Sequence, residues 1–159
     1  MNEKDLEPIW QNEDVIRHTE ILARSYRHFT SRELLPGVAE RSELARKVYE
    51  APLVVVSHGT EPDPVLNYGN AAALRLWEMS WEELTRTPSR LTAEAPLREE
   101  RARLLAAVTA HGFIDDYSGI RITRTGRRFH IARATVWNLI TADGQPCGQA
   151  AMFDEWKFI

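Results

Sequence analysis

The amino-acid sequence predicts an α+β fold: a five-stranded antiparallel sheet with a helical block on one face and two helices ahead of it. Three observations predict it. Apolar residues recur at helical spacing over the first fifty residues and again in the middle of the chain. β-branched or alternating runs occupy residues 53–68 and 113–153. The links within those runs are short, and short links make neighbouring strands antiparallel. A sheet with an apolar face must be covered, so the middle helices are expected on it.

The elements follow in order. Val15, Thr19, Leu22, Tyr26 and Phe29 recur at spacings of four and three, which places them on one helix face. That stripe either packs on its own domain or forms a homodimer seam; two heptads do not decide between these. Leu34-Leu35-Pro36-Gly37 interrupts the helix. A second helix carries Leu44, Ala45, Val48 and Tyr49 on one side. It stops near Ala51, because Pro52 disfavours helical geometry in the residue before it. Residues 1–50 thus read as a helical extension, and residues 51–159 as the core of a single domain.

Residues 53–57 form a short β-branched strand, residues 58–64 a loop, and residues 65–68 a second strand paired with the first. Asn70 caps a helix that turns Ala73, Leu74 and Trp77 inward. Ser80 and Glu83 stand at capping-box spacing, with Met79 and Leu84 placed as a hydrophobic staple. Past the Pro88-Ser89-Arg90 turn, Pro96 opens a longer helix through His111. Its apolar face is Leu97, Leu104, Leu105 and Val108, and Gly112 is placed to end it. Residues 113–123, 128–140 and 148–153 are the last three strands. Asp143-Gly144 suits the tight hairpin between the final two. Trp156 and Phe158 pack beyond the last strand.

Composition narrows the function classes. A chain of 159 residues with 43% hydrophobic content buries a core without disulfides or metal. Its net charge of −3 gives no general basic face for nucleic acid. The single cysteine, Cys147, fits a reducing compartment. The acidic start has no signal-peptide pattern, and the longest aliphatic run, residues 53–56, is far too short to span a bilayer. The expectation is a cytoplasmic protein with no membrane partner.

The order of two strands, a helical crossover and three strands resembles the PAS fold. So does Asn70-Ala71-Ala72-Ala73 followed by Leu76, then Ser80-Trp81-Glu82-Glu83-Leu84. A narrower resemblance rests on Ser57-His58, on Asp63 through Asn70, and on Pro88-Ser89-Arg90. It continues through Asp116-Tyr117-Ser118-Gly119-Ile120-Arg121, Gly126-Arg127-Arg128-Phe129, Val136-Trp137-Asn138 and Gly148-Gln149-Ala150-Ala151. These blocks are similar to the MEKHLA domain family, which is regarded as PAS-like. Its members are standalone bacterial proteins or the C-terminal domain of plant homeodomain–leucine zipper factors. This sequence shows neither homeodomain nor zipper, so the DNA-binding role does not carry over. The resemblance implies a sensory or interaction module and names no cofactor.

The candidate site is polar. Tyr117, Arg121, Asn138 and Gln149 lie within predicted strands. If buried, they form an internal network or a pocket for a polar or anionic small molecule. Arg121 would neutralise such a ligand, Asn138 and Gln149 would orient it, and Trp77 and Trp137 would line the wall. His58 is a further pocket candidate. Along the long strand, strict alternation puts Phe129, Ile131, Arg133, Thr135, Trp137 and Leu139 on one side. His130, Ala132, Ala134, Val136, Asn138 and Ile140 fall on the other. Which side meets the helices is open.

Other chemistries fare worse. Ser57 and His58 are adjacent on a strand and point to opposite faces, so they do not make a nucleophile–base pair. The five histidines show no paired metal-ligand spacing. A single axial haem ligand stays open, with His111 or His130 nearest the sheet. Arg121, Arg124, Arg127, Arg128 and Arg133 form a basic hairpin that reads as a solvated tip, offset by Asp115 and Asp116. No phosphate-binding glycine-rich loop is present. The balance favours a ligand-sensing module signalling through a partner or dimer. The rivals are a ligand-free dimerisation module and, further off, an enzyme using His58 with Arg121.

Overall fold

The structure is a computed structural model, and it describes residues 7–93 and 98–159. Helix α1 spans Glu13–Thr30 and α2 spans Arg41–Glu50. Strands β1 (Val54–His58) and β2 (Leu66–Gly69) follow, then α3 (Ala71–Trp77), the single turn α4 (Trp81–Leu84) and a 3-10 turn at Ser89–Thr92. Helix α5 covers Arg98–His111. The chain closes with β3 (Phe113–Ile122), β4 (Arg128–Ile140), β5 (Pro146–Phe153) and β6 (Glu155–Phe158). The expected helix opening at Pro96 and the apolar role of Leu97 lie outside the described residues.

Local chemistry sets the boundaries. Asn12 accepts from the Asp14 amide at the start of α1. The capping box is formed: Ser80 Oγ accepts from the Glu83 amide, and Glu83 Oε1 accepts from the Ser80 amide. Gly112 ends α5 at φ +95, and its missing side chain leaves room for the Phe29 ring. Asn70 does more than cap α3. Its Oδ1 accepts from the Ala73 and Val55 amides, and its Nδ2 donates to the Val48 and Leu53 carbonyls. One fully buried amide therefore ties α2, β1 and α3 together.

The sheet is antiparallel throughout, in the order β2-β1-β5-β4-β3. The terminal meander closes on the early hairpin through β1 and β5, with Val54 opposite Phe153 and His58 opposite Gln149. A sixth strand, β6, pairs with the first part of β4, so Trp156 and Phe158 belong to the sheet itself. Among the described residues the sheet is covered on both faces. Helix α3 packs Ala72, Ala73, Leu76 and Trp77 with Val54, Phe129, Ile131, Ala134 and Phe153. On the opposite face, Val15, Leu22 and Tyr26 of α1 and Val48 of α2 pack with Val55, Tyr68, Trp137 and Leu139. The α1 stripe offered as a dimer seam is thus occupied within the chain, because the far face of the sheet is itself apolar.

The alternation expected along β4 needs correction. Arg133 takes a left-handed conformation, φ 53, in the middle of the strand. Opposite it, Asp154 separates β5 from β6. The pairing register is kept across Arg133, with Ala132 opposite Glu155 and Thr135 opposite Met152, but the left-handed residue shifts the phase of the alternation. Phe129 and Ile131 before it share a face with Ala134, which follows it. Trp137 and Leu139 point the other way, onto α1.

Candidate ligand-binding site

Between the sheet and α5 lies a cavity of about 70 Å³. Val56 and His58 of β1 contribute from one side; Gln149, Ala151 and Phe153 of β5 form the floor with Ile131, Ala134 and Val136 of β4. Tyr117 and Arg121 reach it from β3, Trp77 from α3, and Arg101, Leu104 and Leu105 from α5. Gly148, at φ +150, lets β5 approach β1 here: a Cβ on it would stand 2.1 Å from the His58 carbonyl oxygen.

Five of the seven expected residues line this cavity: His58, Trp77, Tyr117, Arg121 and Gln149. Asn138 stands behind it. Its Oδ1 accepts from Gln149 Nε2 at 3.0 Å, and its Nδ2 donates to the Val108 carbonyl at 2.9 Å. Gln149 Nε2 also lies 3.0 Å from the Leu105 carbonyl oxygen and 2.9 Å from Thr109 Oγ1, so its two hydrogens are shared among three acceptors. These two amides hold α5 to the sheet. Trp137 is not at the cavity; it is fully buried on the opposite face, where Nε1 donates to the Leu22 carbonyl at 3.3 Å. The phase shift at Arg133 accounts for its place.

Two guanidiniums dominate the electrostatics. Arg121, 8% exposed, donates to the Tyr117 hydroxyl at 2.7 Å and to the Ile120 carbonyl at 2.9 Å. Arg101, which the sequence reading missed, donates to Ser89 Oγ at 2.6 Å. Neither forms an ion pair with a carboxylate among the described residues. Burial, with the Arg121 charge second, brings Arg101 down to about 10. A readable signal for Arg101 existed: it sits three, four and seven residues before Leu104, Leu105 and Val108, on the inward stripe of the helix.

Two polar atoms at the cavity have no hydrogen-bond partner in the described protein: His58 Nε2 and Trp77 Nε1. Both residues are buried, at 9% and 3% exposure. His58 Nδ1 lies 2.9 Å from the Gly59 carbonyl oxygen. A carbonyl only accepts, so Nδ1 carries the hydrogen and neutral Nε2 presents a lone pair. Burial holds the His58 pKa below its ordinary value, opposed by the Gly59 carbonyl and assisted by Arg101. An open groove lined by Glu61, Thr109 and His111 shares the His58, Leu105 and Gln149 wall.

The other candidates part company. Ser57 and His58 do face opposite ways. Ser57 Oγ donates to Asn67 Oδ1 at 2.5 Å and lies 2.8 Å from His18 Nε2 of α1. With the serine hydrogen on Asn67, His18 is the donor to Oγ and not its base. Ser57 is 1% exposed, and its Oγ is taken up by these partners on α1 and β2. His111 and His130 are exposed, and no group of three metal-ligating side chains occurs among the described residues. The basic hairpin is offset by Glu83, Glu78 and Glu155, which pair with Arg124, Arg127 and Arg133. Asp115 instead pairs with Arg32. No described helix is long and apolar enough to cross a membrane.

The sequence profile of the MEKHLA domain matches residues 16–158. This chain belongs to the MEKHLA domain family. No curated protein sequence matches it. Solved structures place the MEKHLA fold here among PAS domains. A PAS domain from Colwellia psychrerythraea superposes with a TM-score of 0.59 at 14% identity, covering 74% of this chain and 94% of that one. An RNA-binding light-oxygen-voltage receptor gives 0.62 at 16% identity, covering 78% of this chain and 36% of the receptor. A light-oxygen-voltage domain studied with a flavin analogue gives 0.55 at 13% identity, covering 74% and 84%.

Proposed function

We propose that this MEKHLA domain is a sensory or regulatory module that binds a small anionic organic molecule in the cavity beneath α5. The observation that carries the reading is the pair Arg101 and Arg121: a half-buried and a buried guanidinium at one cavity, without a carboxylate partner among the described residues. A buried charge left uncompensated is costly, and an anionic ligand would offset it. The unpartnered Trp77 Nε1 adds a further donor. These features favour a ligand-binding module over a solid interaction module. The volume sets the scale of the ligand. A cavity of about 150 Å³ accepts benzene, and this one is near 70 Å³. A fused-ring flavin, of the kind studied in the light-oxygen-voltage relative, exceeds it.

Ligand binding would strengthen the attachment of α5 to the sheet, since Arg101 belongs to the helix and Arg121 to β3. With the α1 stripe occupied, output to a partner or a second copy would leave from α5 and its neighbouring loops. The test is thermal unfolding in a panel of small carboxylates, for wild type, Arg101→Met and Arg121→Met. A carboxylate at a hundred times its Kd should stabilise wild type by about 2.7 kcal/mol, and neither variant. Both variants should hold or gain basal stability, because each removes buried charge. Equal shifts in all three proteins would end the proposal.

A further inference from the structure

The cavity's donors and acceptors specify more than charge. We infer that the ligand is a small 2-hydroxy carboxylate, whose carboxylate meets the two arginines and whose hydroxyl donates to His58 Nε2. This rests on the anion-binding reading above and names the ligand class it leaves open.

The argument starts from the supply of hydrogen-bond donors. Arg101 spends one N–H on Ser89, and Arg121 spends two, on Ile120 and Tyr117. A guanidinium has five, so both retain donors for a ligand. The Tyr117 hydroxyl accepts from Arg121 and keeps its own hydrogen to donate. Trp77 Nε1 is a donor with no partner in the described protein. Against these stands His58 Nε2, the buried acceptor at this cavity without a partner among the described residues, fixed as a lone pair by the Nδ1 hydrogen bond to Gly59. A plain carboxylate satisfies the donors and leaves that lone pair facing carboxylate oxygens, which is repulsive. A ligand with a hydroxyl beside its carboxylate satisfies both.

Protonation of His58 is the other way out, and its surroundings oppose it. Arg101 of α5 bears on it directly, and Arg121 of β3 lines the same cavity. Gln149 of β5 and Tyr117 of β3 are uncharged neighbours at that cavity, and among the described residues Glu61, in the loop after β1, is the acidic group acting on the ring. Burial penalises the imidazolium further. The size limit requires the hydroxyl close to the carboxylate. By comparison with a benzene-sized cavity, about 70 Å³ holds roughly three non-hydrogen atoms, so a 2-hydroxy carboxylate would extend into the adjoining groove that shares the His58, Leu105 and Gln149 wall.

The experiment is calorimetric titration of the full chain at pH 7.5 with glycolate and lactate, beside acetate and propionate as controls lacking the hydroxyl. A site built around a substrate hydroxyl rejects the analogue without it, because its own polar group is left unpaired. The hydroxy acids should bind at least tenfold more tightly than their controls. That preference should fall below about threefold in His58→Leu, with retained anion binding showing that the variant is folded. It should return in part in His58→Gln, whose side-chain carbonyl accepts. Equal affinity for lactate and propionate would overturn the inference while leaving anion binding intact. Propionate binding with uptake of one proton, read from buffer-dependent enthalpies, would overturn it too, since His58 would then be a donor. No binding by any of the four acids, with Arg101→Met and Arg121→Met indistinguishable from wild type, would remove the anion reading itself.

Discussion

His18 shows how one side chain links the fold to pH. It lies on α1, stacks on Tyr68 and bonds Ser57 across the sheet. Burial lowers its pKa to about 4, from an unfolded value near 6.5. A base with a depressed folded pKa stays neutral in the native state while the unfolded chain takes up a proton. Its stabilising effect is therefore whole above pH 6.5 and is lost as pH falls toward 4. For a half-buried ring the loss should be on the order of 2 kcal/mol. His58 acts in the same direction, so the measurement is a difference: urea midpoints of wild type and His18→Gln from pH 7 to 4.5. The two curves should converge as pH falls, and parallel curves would refute the assignment. Asn70 is the second residue whose weight exceeds its sequence signature. The sequence shows a helix cap; the fold uses all four of its hydrogen bonds in a fully buried setting. Asn70→Ala strands two amides and two carbonyls, at about 1–3 kcal/mol for each group left unmet. A loss of at least about 3 kcal/mol in denaturant unfolding is expected, and a loss under 1 kcal/mol would contradict the hub role.

At the scale of elements, the strands and helices were legible because turn chemistry marks their ends. Pro52, Gly112, Gly126 and Asp143-Gly144 each fall at a boundary that the structure keeps. The facing of β4 was not legible, because the residue that reverses it is an arginine. A left-handed residue usually announces itself as glycine or asparagine, and Arg133 carries no such mark. That one residue moved Trp137 from the expected site to the opposite core. Arg101 was hidden differently, in a run of charges, Arg98 to Arg103, that looks like a solvated helix face although its stripe position turns it inward. The left-handed residue makes a testable demand on β4. Arg133→Gly relieves a left-handed backbone costing roughly 1–2 kcal/mol and gives up an exposed ion pair with Glu155, worth about 0–1 kcal/mol. Stability should be unchanged or rise slightly. Arg133→Val puts a β-branched residue at φ 53 and should lower stability by about 1–3 kcal/mol. Equal melting temperatures for the two variants would show that residue 133 is not held in this conformation.

At the scale of the whole molecule, the N-terminal helices decide whether the sheet can exist alone. The sequence marked residues 1–50 as a helical extension of a single domain, with an apolar stripe that either packs on that domain or joins two copies. The structure puts that stripe against Trp137, Leu139, Val55 and Tyr68, residues with no more than 1% exposure. Fully burying a large apolar side chain contributes about 1.5–3 kcal/mol, while a whole domain is stable by only about 5–15 kcal/mol. Uncovering four such residues removes an amount comparable with the entire margin. Asn70 would lose its Val48 carbonyl, and Ser57 its His18 partner, in the same cut. A chain of residues 51–159 should therefore lack a cooperative thermal transition and bind hydrophobic dyes. Adding residues 1–50 as a separate peptide should restore folding in part, since the lost contacts are side-chain packing and not chain connectivity. If residues 51–159 instead melt cooperatively near the full-length temperature, α1 is dispensable to the core, and its stripe is again available for a second molecule.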